Sequence, residues 1–160
     1  MPSEPRSARR SVTDMTEYVL PTHTNVYGTV FGGQIMAWID LCAAICAERH
    51  CGAHAVTAGV DDLAFQRPVR VGQVVRLRAR VTATFRSSLE IFVDVEGEDP
   101  VAGERWPCVS AWLTFVAVGA DGAHVEVPPL AIETDEDRAL RADAEERRRT
   151  RLERARRRAP

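Results

Sequence analysis

The chain has 160 residues and a formal net charge of -2, and all 21 of its basic residues are arginine, since no lysine occurs. A chain of this length buries roughly 70% of its unfolded surface and needs no metal or disulfide staple, and 45% hydrophobic with 28% charged residues is the make-up of a soluble globular protein. Residues 1–130 hold 11 arginines against 15 acidic residues while residues 131–160 hold 10 against 8, so the folded part is acidic, which argues against a nucleic-acid partner.

In chain order, residues 1–12 are polar and arginine-rich and are expected to form a disordered lead. Arg9-Arg10 is not succeeded by an apolar stretch, so neither a secretory nor a twin-arginine signal is expected. The expected compartment is therefore the cytoplasm, with the four cysteines reduced. Met15 to Leu20 reads as a strand. Residues 33–50 place Ile35, Ile39, Cys42 and Cys46 at spacings of four, three and four, an apolar helix with Gly52 near its end. Val56 to Phe65 reads as a strand, and Val75 to Phe85 alternates strictly, apolar at odd positions and polar at even ones. Leu89, Ile91, Val93 and Val95 repeat that period, and Cys108 to Val118 is a long strand apolar on nearly both faces. The longest apolar runs fall short of the roughly 20 residues of a membrane span, so no membrane partner is expected. After Val127-Pro128-Pro129-Leu130 the composition turns to Ala, Glu, Asp and Arg, and this tail, residues 131–160, is expected to be a solvated, fraying helix or disordered. One long helix with about five strands implies an α+β fold, an antiparallel sheet curled around that helix, in residues 13–130.

Signatures of serine hydrolases, P-loop enzymes, dinucleotide enzymes and zincins are missing. Cys42, Cys46 and His50 fall on one helix face with Cys51 and His54 just beyond. Three ligands up a straight helix span about 12 Å, too far for one ion, so buried structural cysteines are expected and no metal. The informative segment runs from His23 to Gly33 and into the helix that holds Asp40. Consecutive glycines at a helix start leave the first-turn N–H groups open to a ligand, at the positive end of the dipole, where an oxyanion is stabilised. Asp40 lies two turns in, flanked by Trp38, Ile39, Leu41 and Cys42, with Met36, Ala43 and Ala47 on its own row. Such a carboxylate is expected to point at an apolar or small-residue surface, either as a catalytic group or as a buried hydrogen-bond acceptor.

The segment Pro21-x-x-x-Asn25-x-x-Gly28-x-x-Phe31-Gly32-Gly33-x-Ile35-Met36-x-x-x-Asp40 resembles the hotdog-fold acyl-CoA thioesterases, specifically the acyl-CoA hydrolase branch. Val56-Thr57 with Asp61 and Phe65, Arg67-Pro68-Val69-x-Val71-Gly72, Arg86-Ser87-Ser88, Gly103-Glu104-Arg105 and Thr114 to Val118 carry the resemblance to about Leu130. It implies the hotdog fold and hydrolysis of fatty acyl-CoA to the acid and coenzyme A, with no cofactor beyond the coenzyme in the substrate. It also implies a homodimer whose active sites combine Asn25 of one chain with Asp40 of its partner, and a hexamer made as a trimer of dimers.

Asp40 would act as general base toward water or as a nucleophile. Asn25 would donate its amide N–H to the carbonyl or position the water with its amide oxygen. The N–H of Gly33, with Gly32 beside it, would hold the oxyanion. Arg86, Ser87 and Ser88 at a strand turn are the expected contacts of the coenzyme phosphates, with Arg67 a further one. Phe85 departs from the glycine that relatives carry before Arg-Ser-Ser, and Gln73 from a common acidic residue. The competing readings are a non-enzymatic acyl-CoA sensor on the same fold and a hotdog dehydratase, for which His23 would be the catalytic histidine.

Overall fold

The computed structural model describes residues 3–160. Its strands are β1 (Thr13–Tyr18), β2 (His54–Phe65), β3 (Val74–Thr84), β4 (Ser88–Asp99) and β5 (Glu104–Val118), and its long helices are α1 (Gly32–Cys51) and α2 (Asp135–Arg158). The strands form one antiparallel sheet in the order β1-β3-β4-β5-β2, so β1 and β2 are its edges. The period-two pattern explains the layering. Leu77, Ala79 and Val81 of β3, Leu89 to Val95 of β4 and Leu113 to Ala117 of β5 send alternate apolar side chains to one face, where all are buried. α1 fills the concavity of that face with a stripe of Ile35, Trp38, Ile39, Cys42, Ala43, Cys46, Ala47 and His50. It ends where Gly52 takes a left-handed backbone, φ 67°, which closes the last turn at no steric cost. This is the α+β hotdog arrangement.

Both ends of the chain are more engaged than their compositions predict. Met1 and Pro2 of the expected lead lie outside the described residues. Arg6 pairs through its backbone with Pro129 and Ala131, at 2.8 and 2.9 Å, and its guanidinium donates to the His50 carbonyl near the C-terminus of α1. Ala8 and Ser11 are buried. A guanidinium that satisfies an orphan carbonyl at a helix end gives a polar segment a reason to dock.

The tail is a helix laid on the outer face of the sheet, where a solvated one was expected, and charge holds it there. Arg147 reaches Glu90 of β4 with two hydrogen bonds, 3.0 and 2.8 Å, and stacks over Trp112 of β5 at 4.7 Å. Arg151 reaches Asp61 of β2 at 3.1 Å, Arg80 of β3 reaches Asp137 at 3.0 Å, and Ala144 is fully buried. An apolar stripe is therefore not required, because arginine stems and planar heads cover the sheet while their charges are paired.

The four cysteines and His50 are core, while His54 is exposed beside Glu48 at 3.1 Å. Cys42, Cys46, Cys51 and Cys108 are buried thiols; burial pushes Cys46 up to about 12 and the other three up to about 11, so none is a thiolate at neutral pH. His50 is buried and its Nε2–H donates to the Pro128 carbonyl at 3.0 Å, while Nδ1 has no partner among the described residues. Burial lowers its pKa; the Pro128 carbonyl opposes this, and Arg6 and Arg10 add to it.

These contacts have consequences for stability. Arg147→Ala leaves the Glu90 carboxylate, with a side chain only 3% exposed, without its cation, and should cost about 3 kcal/mol in urea unfolding. An unchanged midpoint would mean that the ion pair does not hold α2. For His50, the folded state resists protonation more than the unfolded state does. Its contribution is therefore complete above the unfolded value of about 6.5 and declines as pH falls below it. The wild-type urea midpoint should drop between pH 7.5 and 5.5, and His50→Gln should flatten that drop; equal slopes in the two proteins would contradict it.

Candidate active site

The N-terminus of α1 takes its shape from Phe31, the N-cap residue, whose side chain provides no capping bond. Gln34 N–H and Ile35 N–H both turn back to the Phe31 carbonyl, at 2.9 and 3.2 Å. The N–H groups of Gly32 and Gly33 have no acceptor among the described residues. A β-carbon at Gly33 would lie 2.6 Å from the exposed Phe31 ring, so any larger residue would displace that ring. The result is a pair of free donors beneath an aromatic ring that is itself exposed.

Asn25 sits in the loop that enters α1, with Thr24 and Val30 bridged across its base. Its Oδ1 accepts from Tyr27 N–H at 2.9 Å and from Thr29 N–H at 3.3 Å, and its Nδ2 donates to Thr29 Oγ1 at 2.9 Å. Backbone N–H groups only donate, so these bonds fix which end of the amide is oxygen. One Nδ2 hydrogen remains for a ligand. The amide oxygen is occupied by its own loop.

Asp40 does not point into the apolar surface expected of it. It is exposed, on the border of the buried stripe next to exposed Met36 and Leu41, and its Oδ1 accepts a 2.5 Å hydrogen bond from the Thr57 hydroxyl of β2. The helix turns its Ile39 and Ala43 faces to the core, which leaves position 40 facing the rim of the sheet. In the sequence Thr57 carries no role beyond belonging to a matching segment. Its one signal is a hydroxyl on the strand after the helix, and only the packing of β2 beside α1 brings the two together.

The glycine donors and Asp40 share one rod. Seven residues of helix separate Gly33 from Asp40, a rise of about 10 Å, so one reacting carbon cannot touch both within a single chain.

Arg86 and Ser87 lie at the β3–β4 turn, which Ser88 closes as the first residue of β4. Phe85 N–H bonds the Ser88 carbonyl at 2.8 Å. In register, Thr57 pairs with Phe115 and Phe115 with Leu89, so the turn stands two strand spacings from Thr57, roughly 10 Å, at the same end of the sheet. Arg67 belongs elsewhere. It lies just beyond Phe65, which pairs with Val109 and through it with Val95, roughly 20 Å along the strands from the turn, and its guanidinium stacks on Trp106 at 4.5 Å. Arg67 and Arg86 of one chain therefore cannot grip the same phosphate.

Around these groups lies an uncovered apolar rim. Val26 is 94% exposed and Tyr27 81%, with Phe31, Leu41, Val56 and Phe65 also exposed on the entry loop, α1 and the edge strand β2. No helix is long and apolar enough to cross a membrane among the described residues.

The family model of the thioesterase superfamily matches residues 27–104. The chain is 39% identical over 144 residues to an uncharacterised acyl-CoA thioester hydrolase of Bacillus subtilis, covering 90% of this chain and 84% of that one. It is 40% identical over 138 residues to acyl-coenzyme A thioesterase 11 of Mus musculus, where the match takes 86% of this chain but 23% of the relative, so the chain spans about a quarter of that protein. Among solved structures, an apo hexameric acyl-CoA thioesterase superposes with a TM-score of 0.90 at 37% identity over 95% of this chain and 97% of the other. An acyl-CoA hydrolase of Staphylococcus aureus in complex with butyryl coenzyme A, coenzyme A and coenzyme A disulfide gives 0.86 at 33%, over 94% and 92%. Further structures of that enzyme replace an asparagine, an aspartate and a threonine by alanine, residues fifteen and then seventeen positions apart in chain order. With this fold, and with that identity along nearly its whole length, the chain belongs to the acyl-CoA thioester hydrolases of the thioesterase superfamily.

Proposed function

We propose that the protein hydrolyses acyl-CoA to the free acid and coenzyme A at a site shared by two copies of the chain. The observation that carries this reading is the Asp40 carboxylate, exposed and held by Thr57 at 2.5 Å, on the same helix as two free N–H donors too distant to serve it. A second copy related by a two-fold axis brings its own α1 N-terminus and Asn25 to Asp40. The unpaired β2 edge and the exposed Val26, Tyr27 and Phe31 fit such a partner, since a bare edge and a large apolar patch both call for cover. The hexameric assembly of a structural relative supports dimers gathered into a trimer. A cytosolic human relative supports the cytoplasm as its setting.

In the reaction, Oδ2 of Asp40, opposite the oxygen bound by Thr57, takes a proton from water as that water attacks the thioester carbon. The negative charge that forms on the carbonyl oxygen is met by the Gly33 N–H, with Gly32 beside it, and by the free Nδ2 hydrogen of Asn25. Because the amide oxygen of Asn25 is spent within its loop, the donor role is the one its geometry favours over water positioning. Collapse of the tetrahedral intermediate breaks the C–S bond, and the proton on Asp40 goes to the departing sulfur. Arg86, Ser87 and Ser88, roughly 10 Å along the sheet from Thr57, suit the coenzyme end of the substrate. The spacing of Asn25, Asp40 and Thr57, fifteen and then seventeen residues, is that of the three positions varied in the Staphylococcus aureus enzyme.

The dehydratase reading loses its base. His23 Nδ1 accepts from Leu20 N–H at 3.1 Å and its ring packs edge-on against Trp38, so the imidazole is a structural piece of the entry turn.

A thiol-release assay on acyl-CoA substrates tests the function: binding without release would favour a sensor. Asp40→Asn should abolish turnover in a folded oligomer, and Asn25→Ala should lower kcat by about 10²–10³. Thr57→Val, which removes a hydrogen bond to a charged group, should cost about tenfold or more in kcat with little change in KM. Near wild-type turnover by Asp40→Asn would remove the basis of the mechanism.

A further inference from the structure

We propose that Arg148 of α2 is a second cation for the coenzyme phosphates, delivered to the Arg86 turn by the C-terminal helix, so that this helix sets specificity for coenzyme A over shorter thioesters. The inference rests on the coenzyme end of the substrate lying at that turn.

β3 carries a bulge between Val81 and Ala83. Beyond it Ala83 pairs with Glu90 and Thr84 with Leu89, so the residues facing the outer side of the sheet change parity. Phe85 consequently emerges on the outer face, next to Arg86, and there the Arg148 guanidinium stacks over its ring, 4.5 Å from the centroid. The aromatic residue that departs from the glycine of the resemblance thus has a structural use, as a platform for a residue of α2.

Arg148 differs from its neighbours on the docked side of the helix. Arg147 is spent on Glu90 and Arg151 on Asp61. Arg148 has no carboxylate partner among the described residues, and neither does Arg86. Stacking uses the face of the guanidinium and leaves the N–H edges free in the plane, the geometry that meets phosphate oxygens in pairs. The ring also fixes the head group in advance, which reduces the ordering cost on binding. On the other side of the turn the groove formed with His124 is lined by Glu126 too, so its field is mixed. Arg86 and Ser87 belong to that groove while Arg148 stands over Phe85 on the side of α2, so the two cations flank the turn. Coenzyme A presents a pyrophosphate and a separate ribose phosphate, which suits two spaced cations better than one.

The test is steady-state kinetics of the full chain on an acyl-CoA and on the matching acyl-pantetheine, which keeps the thioester and lacks every nucleotide phosphate. Arg148→Ala should raise KM for acyl-CoA by about three- to tenfold while leaving kcat and the acyl-pantetheine KM as in wild type. Phe85→Leu, which keeps the cation and removes its platform, should shift the acyl-CoA KM in the same direction. Arg141→Ala, which alters an exposed arginine already paired with Glu145, should shift neither. A change of equal size on both substrates for Arg148→Ala would assign it to the docking of α2 and overturn the proposal. Arg86→Ala distinguishes the role of Arg148 from the placement of the coenzyme. If it raises the acyl-CoA KM selectively and Arg148→Ala does not, the coenzyme site stands and the role of Arg148 falls. If neither variant distinguishes the two substrates, the placement of the coenzyme at this turn falls as well.

Discussion

A straight helix cannot bring its own N-terminus to a side chain two turns away, and that constraint organises this protein. α1 is rigid because a sheet curls around it and buries a nearly continuous stripe of its surface. The rigidity fixes the free N–H groups of Gly32 and Gly33 about 10 Å from Asp40. A flexible loop could fold the two together; a buried helix cannot. In the proposed mechanism the catalytic groups are therefore complete only where two helices meet head to flank, and the apolar rim around Asn25, Phe31 and β2 is the surface on which they would meet. With a shared site, the core, the oligomer and the active site have one cause.

The outer face of the sheet is held by different physics. Its polar residues are not simply solvated, because α2 lies over them with Arg147, Arg151 and Asp137 matched to Glu90, Asp61 and Arg80. A chain without lysine has only arginine for this work, and arginine suits it, since its planar head stacks on Trp112 and still pairs with a carboxylate. The same property makes Phe85 and Arg148 a unit. The helix thus serves the sheet as cover and reaches the turn proposed to face the coenzyme.

The sequence is legible where burial follows a period. The alternation of β3 and β4 and the spacing of Ile35, Ile39, Cys42 and Cys46 specify the strands, the helix and the face each buries. It is silent where burial or engagement depends on charge or on a neighbour distant in the chain. The Arg6 contact with the end of α1, the docking of α2 and the bond from Thr57 to Asp40 all belong to that class, and no local pattern announces them. Asp40 shows the limit most clearly. Its row suggests a buried carboxylate, yet in one chain it is exposed, because in the proposed dimer the surface that encloses it belongs to another copy. Arg67 and Arg86 are both arginines in matching segments, and only the register of the sheet puts them at opposite ends.

The shared site is tested most directly by mixing two inactive variants. Asn25→Ala and Asp40→Asn, co-expressed with different tags or unfolded and refolded together, should each be inactive alone. Random pairing makes about half the dimers mixed, and each mixed dimer holds one intact site, so about a quarter of the wild-type activity should return. A site built within one chain leaves every mixed dimer with two defective sites. No recovery of activity in a verified mixed oligomer would contradict the account at its centre.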